Sequence, residues 1–457
     1  MLSLLGRPVR LCDGLTRREV LRVGGLGVSG LLWSDLLRAR AAAARPAPRS
    51  FGKAKSCILV FNYGGPSHLD LWDLKPDAPR EIRGEFDPIS TRVPGTSICE
   101  HLDRLAAIAD RYAIVRSMSH VDNDHAVGTY LALTGHPHPR SRPLGVEPPA
   151  SPLDMPSFGS VISKLRPPDA PVFPYVTLGI LRHLGNHDSM GQDAGCLGKV
   201  YDPFRVPEGA RDAGGLRTLL GAAAGERLVR RRQLLGTIDR VPAALEATAA
   251  TRSHDGFAQR AYEILASSAS RQAFEIAREP AAVRDAYGPS ALGQDCLLAR
   301  RLVEAGVPLV TVYSVANRDW DTHANNFKDL KEKLLPDTDR ALAALLEDLE
   351  CRGLLEETLV VWMGDMGRTP RINAAAGRDH WSFCYSIVMA GGGVRGGLVH
   401  GSSDRAAAYP SSDPVNPADI VATIHHLLGI DHRTQIVDQQ GRPFVIGTGE
   451  PVLSLLG

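Results

Sequence analysis

Between Ser314 and Asn326 the sequence reads SVANRDWDTHANN, which sets Asp319, Asp321 and His323 within one short stretch. Carboxylates and imidazoles at such spacing are the donors that hold a divalent metal. A lone Asp or His in a loop is ordinarily a solvated or capping group, so the stretch gains meaning only from its surroundings. It follows the apolar run VPLVTVYS, and three other polar clusters follow apolar runs in the same way. NYGGPSHLDLWD follows CILVF, SHVDNDHAVGTY follows YAIVRSM, and DMGRTPRINAAAGRDHW follows TLVVWMG. These clusters supply His120, His125, Asp365, Arg368 and His380. The histidines are candidates for general acid/base work or metal ligation. Arg368 is a candidate to fork onto a phosphate or sulfate oxyanion, as are Arg371 and Arg378.

The elements that must position these groups read as α/β. Short β-rich apolar runs alternate with helical patterns, which predicts a doubly wound, mainly parallel sheet sandwiched by helices. In DTDRALAALLEDLECRGLLEETLVVWMGD, Leu342, Leu345, Leu346 and Leu349 form a helical stripe, Gly353 stops the helix, and a strand follows. The carboxyl ends of parallel strands lie on one edge of the sheet, where ligands bind. The four polar clusters are therefore expected in one crevice. Two regions break the rhythm: a Pro-rich loop, GHPHPRSRPLGVEPPASPLDMPS, and a helical insertion or cap over about 203–279.

Composition narrows the partners. A chain of 457 residues can bury a large core, and 52 Lys plus Arg against 51 Asp plus Glu leaves no net field to draw nucleic acid or anionic lipid. The seven cysteines are scattered without a C-x-x-C pair, so no zinc knuckle is expected and disulfide pairing stays open. Near the start, Arg17-Arg18 precedes a weakly apolar Gly-rich segment and then ARAAAA, the layout of a twin-arginine export signal. The segment is short and carries Asp35, which argues against a stable membrane span. The expected organisation is a signal over 1–44, a linker over 45–55 and one α/β domain over 56–457, placed beyond the cytoplasmic membrane.

TLVVWMGDMGRTPRINAAAGRDHW, ILVFNYGGPSHLDLWDLKP, LALTGHP and RDWDTH together resemble the exported family called domain of unknown function 1501, itself similar in fold to the alkaline phosphatase and sulfatase superfamily. The resemblance covers nearly the whole mature chain and implies an alkaline-phosphatase-like fold. It implies a metal site made by Asp319 and His323, in a D-x-x-x-H arrangement, with His380 as third ligand. Such a donor set suits one zinc or another first-row divalent ion. A second site is implied less fully: Asp365 matches, Met366 stands in place of a histidine, and Asn62 or Gly64 in place of an aspartate, with His68, Asp70 or Asp124 as substitutes. Counting back from Gly135 to the superfamily's nucleophile lands on His125, where no hydroxyl or thiol is available. Thr129 and Ser119 are the fallback hydroxyls.

Two functions are consistent with these residues. One is an exported metal-dependent hydrolase of phosphate or sulfate esters, acting on a small molecule or a polysaccharide. The other is a noncatalytic envelope protein that binds an anionic glycan or a protein partner.

Overall fold

In the computed structural model, the described residues are 48–138, 149–182, 188–207, 264, 267–314 and 320–457. The expected export signal, most of the insertion (208–263 and 265–266) and Asp319 lie outside them. One compact unit runs from Ser50 to Gly457.

Its centre is a sheet of eight strands: β1 (Ser56–Asn62), β2 (Tyr112–Met118), β3 (Tyr175–Leu178), β4 (Phe204–Val206), β5 (Leu309–Tyr313), β6 (Thr358–Gly364), β9 (Tyr385–Ala390) and β10 (Val399–His400). Their spatial order is β10-β2-β9-β6-β1-β5-β3-β4. A separate two-stranded ribbon, β7 (Gly367–Arg368) with β8 (His380–Trp381), stands beside the sheet. The apolar runs read as strands are strands because both their faces are buried. Alternate residues serve opposite cores: Ile58, Val60, Val310, Val312, Val360 and Trp362 on one face, and Cys57, Leu59, Phe61, Leu309, Val361 and Met363 on the other.

Helices cover both faces. α1 (Asp103–Ala107), α4 (Ala281–Tyr287), α5 (Ala291–Glu304) and α6 (Leu335–Cys351) contribute to the first core. α3 (Phe158–Leu165) and α7 (Pro417–Leu427) contribute to the second. The stripe Leu342, Leu345, Leu346 and Leu349 faces inward on α6, and Gly353 follows the helix at φ +68°, a backbone that favours glycine. Arg300 of α5 is wholly buried and bridges Glu279 (3.0 Å), Glu304 (2.6 Å) and Asp348 (2.8 Å), tying α5 to α6.

Strand direction decides where the site forms. β1 runs parallel to β5 and β6, β3 parallel to β4 and β5, and β10 parallel to β2. Among the described strands of this sheet only β9 is reversed, antiparallel to both β2 and β6. The chain entering β9 therefore arrives at the same edge that the chain leaves from β1, β2, β5 and β6. That places His380, just before β9, opposite the clusters that follow the other strands. The insertion region departs in part from a helical reading, since Phe204–Val206 is the edge strand β4; the helix Ser268–Ala273 lies near its far end.

Candidate metal centre

Four nitrogens converge on one oxygen, Oδ1 of Asp321. His125 Nε2 and His323 Nε2 lie 3.1 Å away, His380 Nε2 3.2 Å and Arg368 Nη2 2.5 Å. Ligand atoms of His125, Asp321 and His380 all fall within 4.8 Å of one another. An ionised carboxylate has about four lone-pair sites over its two oxygens, so one oxygen cannot accept four good hydrogen bonds. Imidazole nitrogens left without a good partner there can present lone pairs to the same small space, where a cation would satisfy them. Two imidazoles and a carboxylate at this spacing suit zinc or another first-row divalent ion, and His323 approaches the same Asp321 oxygen from the solvent side.

Each donor is held by its own segment. His125 opens α2 (His125–Thr134), whose N-cap Asp124 accepts the Ala126 N–H at 3.0 Å. His125 Nδ1 faces Asp365 Oδ2, and Asp365 Oδ1 accepts the Gly64 N–H at 3.0 Å. The GGPS turn thus directs this amide to Asp365. Gly64 (φ +111°) is needed because a Cβ there would lie 2.5 Å from the Asp321 nitrogen. Asp321 and His323 share a tight turn, with His323 N–H donating to the Asp321 carbonyl at 2.9 Å.

His380 sits on the β7–β8 ribbon, in register with Arg368. The loop between these strands folds back onto His323. Asn373 Nδ2 donates to the His323 carbonyl at 2.9 Å and to Asp379 Oδ1 at 3.1 Å, and Asp379 Oδ1 in turn meets His323 Nδ1 at 2.8 Å. Gly377 passes so close that a Cβ would stand 2.0 Å from the His323 carbonyl oxygen. Beneath the loop, Arg378 clasps Asp70 with Nε at 2.7 Å and Nη2 at 2.8 Å, both side chains buried.

Burial alone would drive Asp321 toward its neutral form. Hydrogen bonds from His125 and His380 and the Arg368 charge outweigh it and hold the carboxyl well below the usual range. Burial likewise disfavours the His125 cation, yet Asp365 and Asp321 overcome it and raise that imidazole above its ordinary value. The inner end of the centre is therefore an ion pair, with the Asp321 carboxylate and the His125 cation each favoured by the other.

The structure brings together His125, His323, His380, Asp365 and Arg368 of the residues singled out from sequence. Asp319 lies outside the described residues; among those described, Asp321 is a carboxylate at the centre. Asp365 stands behind His125. Arg368 is wholly buried and donates to the carbonyls of Gly64, Gly65 and Arg378 as well as to Asp321, so it is not free to fork onto an oxyanion. Arg378 is engaged by Asp70. His120 is also buried, its Nε2 2.8 Å from the Asp365 carbonyl, and burial lowers its basicity. Asp379 and Asn373 carry no sequence signal beyond the acid adjoining His380 in GRDHW.

A family model, Protein of unknown function (DUF1501), matches residues 54–456. The chain belongs to this family. No curated protein matches it. Among solved structures, it is similar to the lipoteichoic acid synthase LtaP from Listeria monocytogenes, at 11% identity and a TM-score of 0.35, over 88% of this chain and 77% of that one. It is similar to the sulfatase PsFucS1 from Pseudoalteromonas sp. at 13% identity and a TM-score of 0.36, over 87% and 70%. It is similar also to the phosphonate monoester hydrolase SpPMH from Silicibacter pomeroyi at 14% identity and a TM-score of 0.36, over 88% and 76%. Among the described residues of this family member, no helix is long and apolar enough to cross a membrane.

Proposed function

We propose that the protein is an exported, metal-dependent hydrolase of phosphate or sulfate esters. The observation that carries this reading is the convergence of three imidazole Nε2 atoms on Asp321 Oδ1 at the carboxyl edge of the sheet. His125, His323, His380 and Asp321 would hold the ion. A divalent cation there supplies Lewis-acid polarisation of an ester oxygen. The chain's own residues fix the donors: Asp365 and the turn at Gly64 hold His125, the 369–379 loop holds His323, and Arg368 holds Asp321. Thr129, one turn after His125, is wholly buried, which supports direct attack by water over a side-chain nucleophile. Water oxygen would bond to phosphorus or sulfur as the ester P–O or S–O bond breaks, and one water proton would pass to the departing oxygen, which leaves as the alcohol. The Arg17-Arg18 segment supports export.

Metal analysis of the full chain, followed by assay against aryl phosphates, phosphodiesters and aryl sulfates, tests the proposal. About one equivalent of zinc, lost in His380→Ala, with hydrolysis abolished by chelation and restored by zinc, is expected. A chain with no affinity for zinc, manganese or calcium would sink it. Met366, wholly buried beside Asp365, favours a second reading, a noncatalytic binder of an anionic glycan or a protein partner. Metal uptake with silence on all three ester classes points that way.

A further inference from the structure

We propose that Asp365 and Asp379 are orienting carboxylates of the metal centre, each holding a histidine by Nδ1 so that its Nε2 lone pair faces the ion. The inference rests on the metal reading above and gives Asp365 a different task from that of a ligand.

An ionised carboxylate only accepts hydrogen bonds, so an imidazole nitrogen turned toward it carries the proton. The opposite nitrogen then becomes the ligand, with its direction and basicity set by the carboxylate behind it. Two histidines have this arrangement. His125 turns Nδ1 to Asp365 and Nε2 to the centre, and His323 does the same with Asp379. His380 completes the pattern with a carbonyl, its Nδ1 3.3 Å from Asn123 O. All three rings thus adopt one tautomer once a metal replaces the inner proton. Asp365 has its remaining oxygen on the Gly64 N–H, and Asp379 is fixed by Asn373. Neither needs to reach the ion to shape it. One arm is buried and the other half exposed, which makes them separable by mutation.

Zinc alone, titrated into the full chain against a competing chelator, measures affinity, and long-range proton–nitrogen NMR of the imidazoles measures tautomer. The wild type should bind zinc with His125, His323 and His380 protonated at Nδ1 and ligated through Nε2. Asp379→Asn should keep one zinc but bind it about 10- to 100-fold more weakly, with the change in nitrogen signals confined to His323. Asp379→Glu should recover part of the loss. Asp365→Asn should act likewise at His125; should it not fold, the exposed Asp379 variant still decides. Wild-type affinity and nitrogen signals in Asp379→Asn overturn the proposal, as does ligation of His323 through Nδ1. So does loss of stoichiometric zinc in a folded Asp365→Asn, which would make that carboxylate a ligand. Failure of the wild type to take up zinc overturns the metal reading together with this one, whereas zinc uptake with unaltered Asp variants overturns this one alone.

Discussion

His125 Nε2 and Asp321 Oδ1 lie 3.1 Å apart on side chains 4% and 14% exposed, and they join the start of α2 to the loop after β5. His323, at 46%, and His380, at 26%, form the solvent side of the same centre. His125→Ala removes the inner donor and leaves Asp365 buried without its imidazole. We expect bound zinc to be lost and the metal-free protein to be destabilised by about 3–5 kcal/mol. Metal analysis and urea denaturation in chelator measure the two effects separately.

The ionisation of this pair sets the sign of a pH dependence in the metal-free protein. His125 is raised above its ordinary 6.5, so its contribution is complete below that pH and is lost as pH rises through the raised value. Asp321 is depressed below its ordinary 3.8, so its contribution is present above that pH and lost as pH falls through the depressed value. Urea midpoints in chelator should therefore decline from pH 6 toward alkaline pH. The Asp321→Asn variant should show a shallower decline.

Gly377→Ala probes the docked loop. Its Cβ would meet the His323 carbonyl oxygen, so the loop must lift away while the sheet beneath stays intact. Zinc affinity is expected to fall about 10-fold or more, in the range seen when ligand-orienting groups are disturbed. Circular dichroism should remain that of the parent. Unchanged affinity would show that His323 does not depend on the loop.

Arg300→Ala tests stability away from the centre. The guanidinium is wholly buried among Glu279, Glu304 and Asp348, and its removal leaves Glu279 and Asp348, both largely buried, without this partner. Because Arg301 and Arg352 still face Glu279 and Arg352 still faces Asp348, a loss of about 1.5–3 kcal/mol is expected, with zinc stoichiometry unchanged. Denaturation and metal analysis of the same preparation check both halves.

Much of the architecture was legible because the central strands are buried on both faces and so read as unbroken apolar runs, as in CILVF and TLVVWMG. The short edge strands at Phe204 and Val399 offered no such run. The crevice was legible as polar residues placed after strands, which is why His125, His323 and His380 could be named. That Asp321 faces the centre depends on the path of a loop, which spacing does not encode. Asp379 and Asn373 were hidden for a related reason. Their role arises from a loop folding back on His323, some fifty residues earlier in the chain, and such docking leaves no periodic mark.

The centre draws His125, Asp321 and His380 from three remote parts of the chain, and His380 joins the other two because β9 runs against its neighbours. No fragment of the polypeptide carries the set. A tightly held ion would therefore count completed molecules: a preparation's metal-to-protein ratio would report the fraction with native topology, even where truncated or misassembled chains retain ordinary helix content.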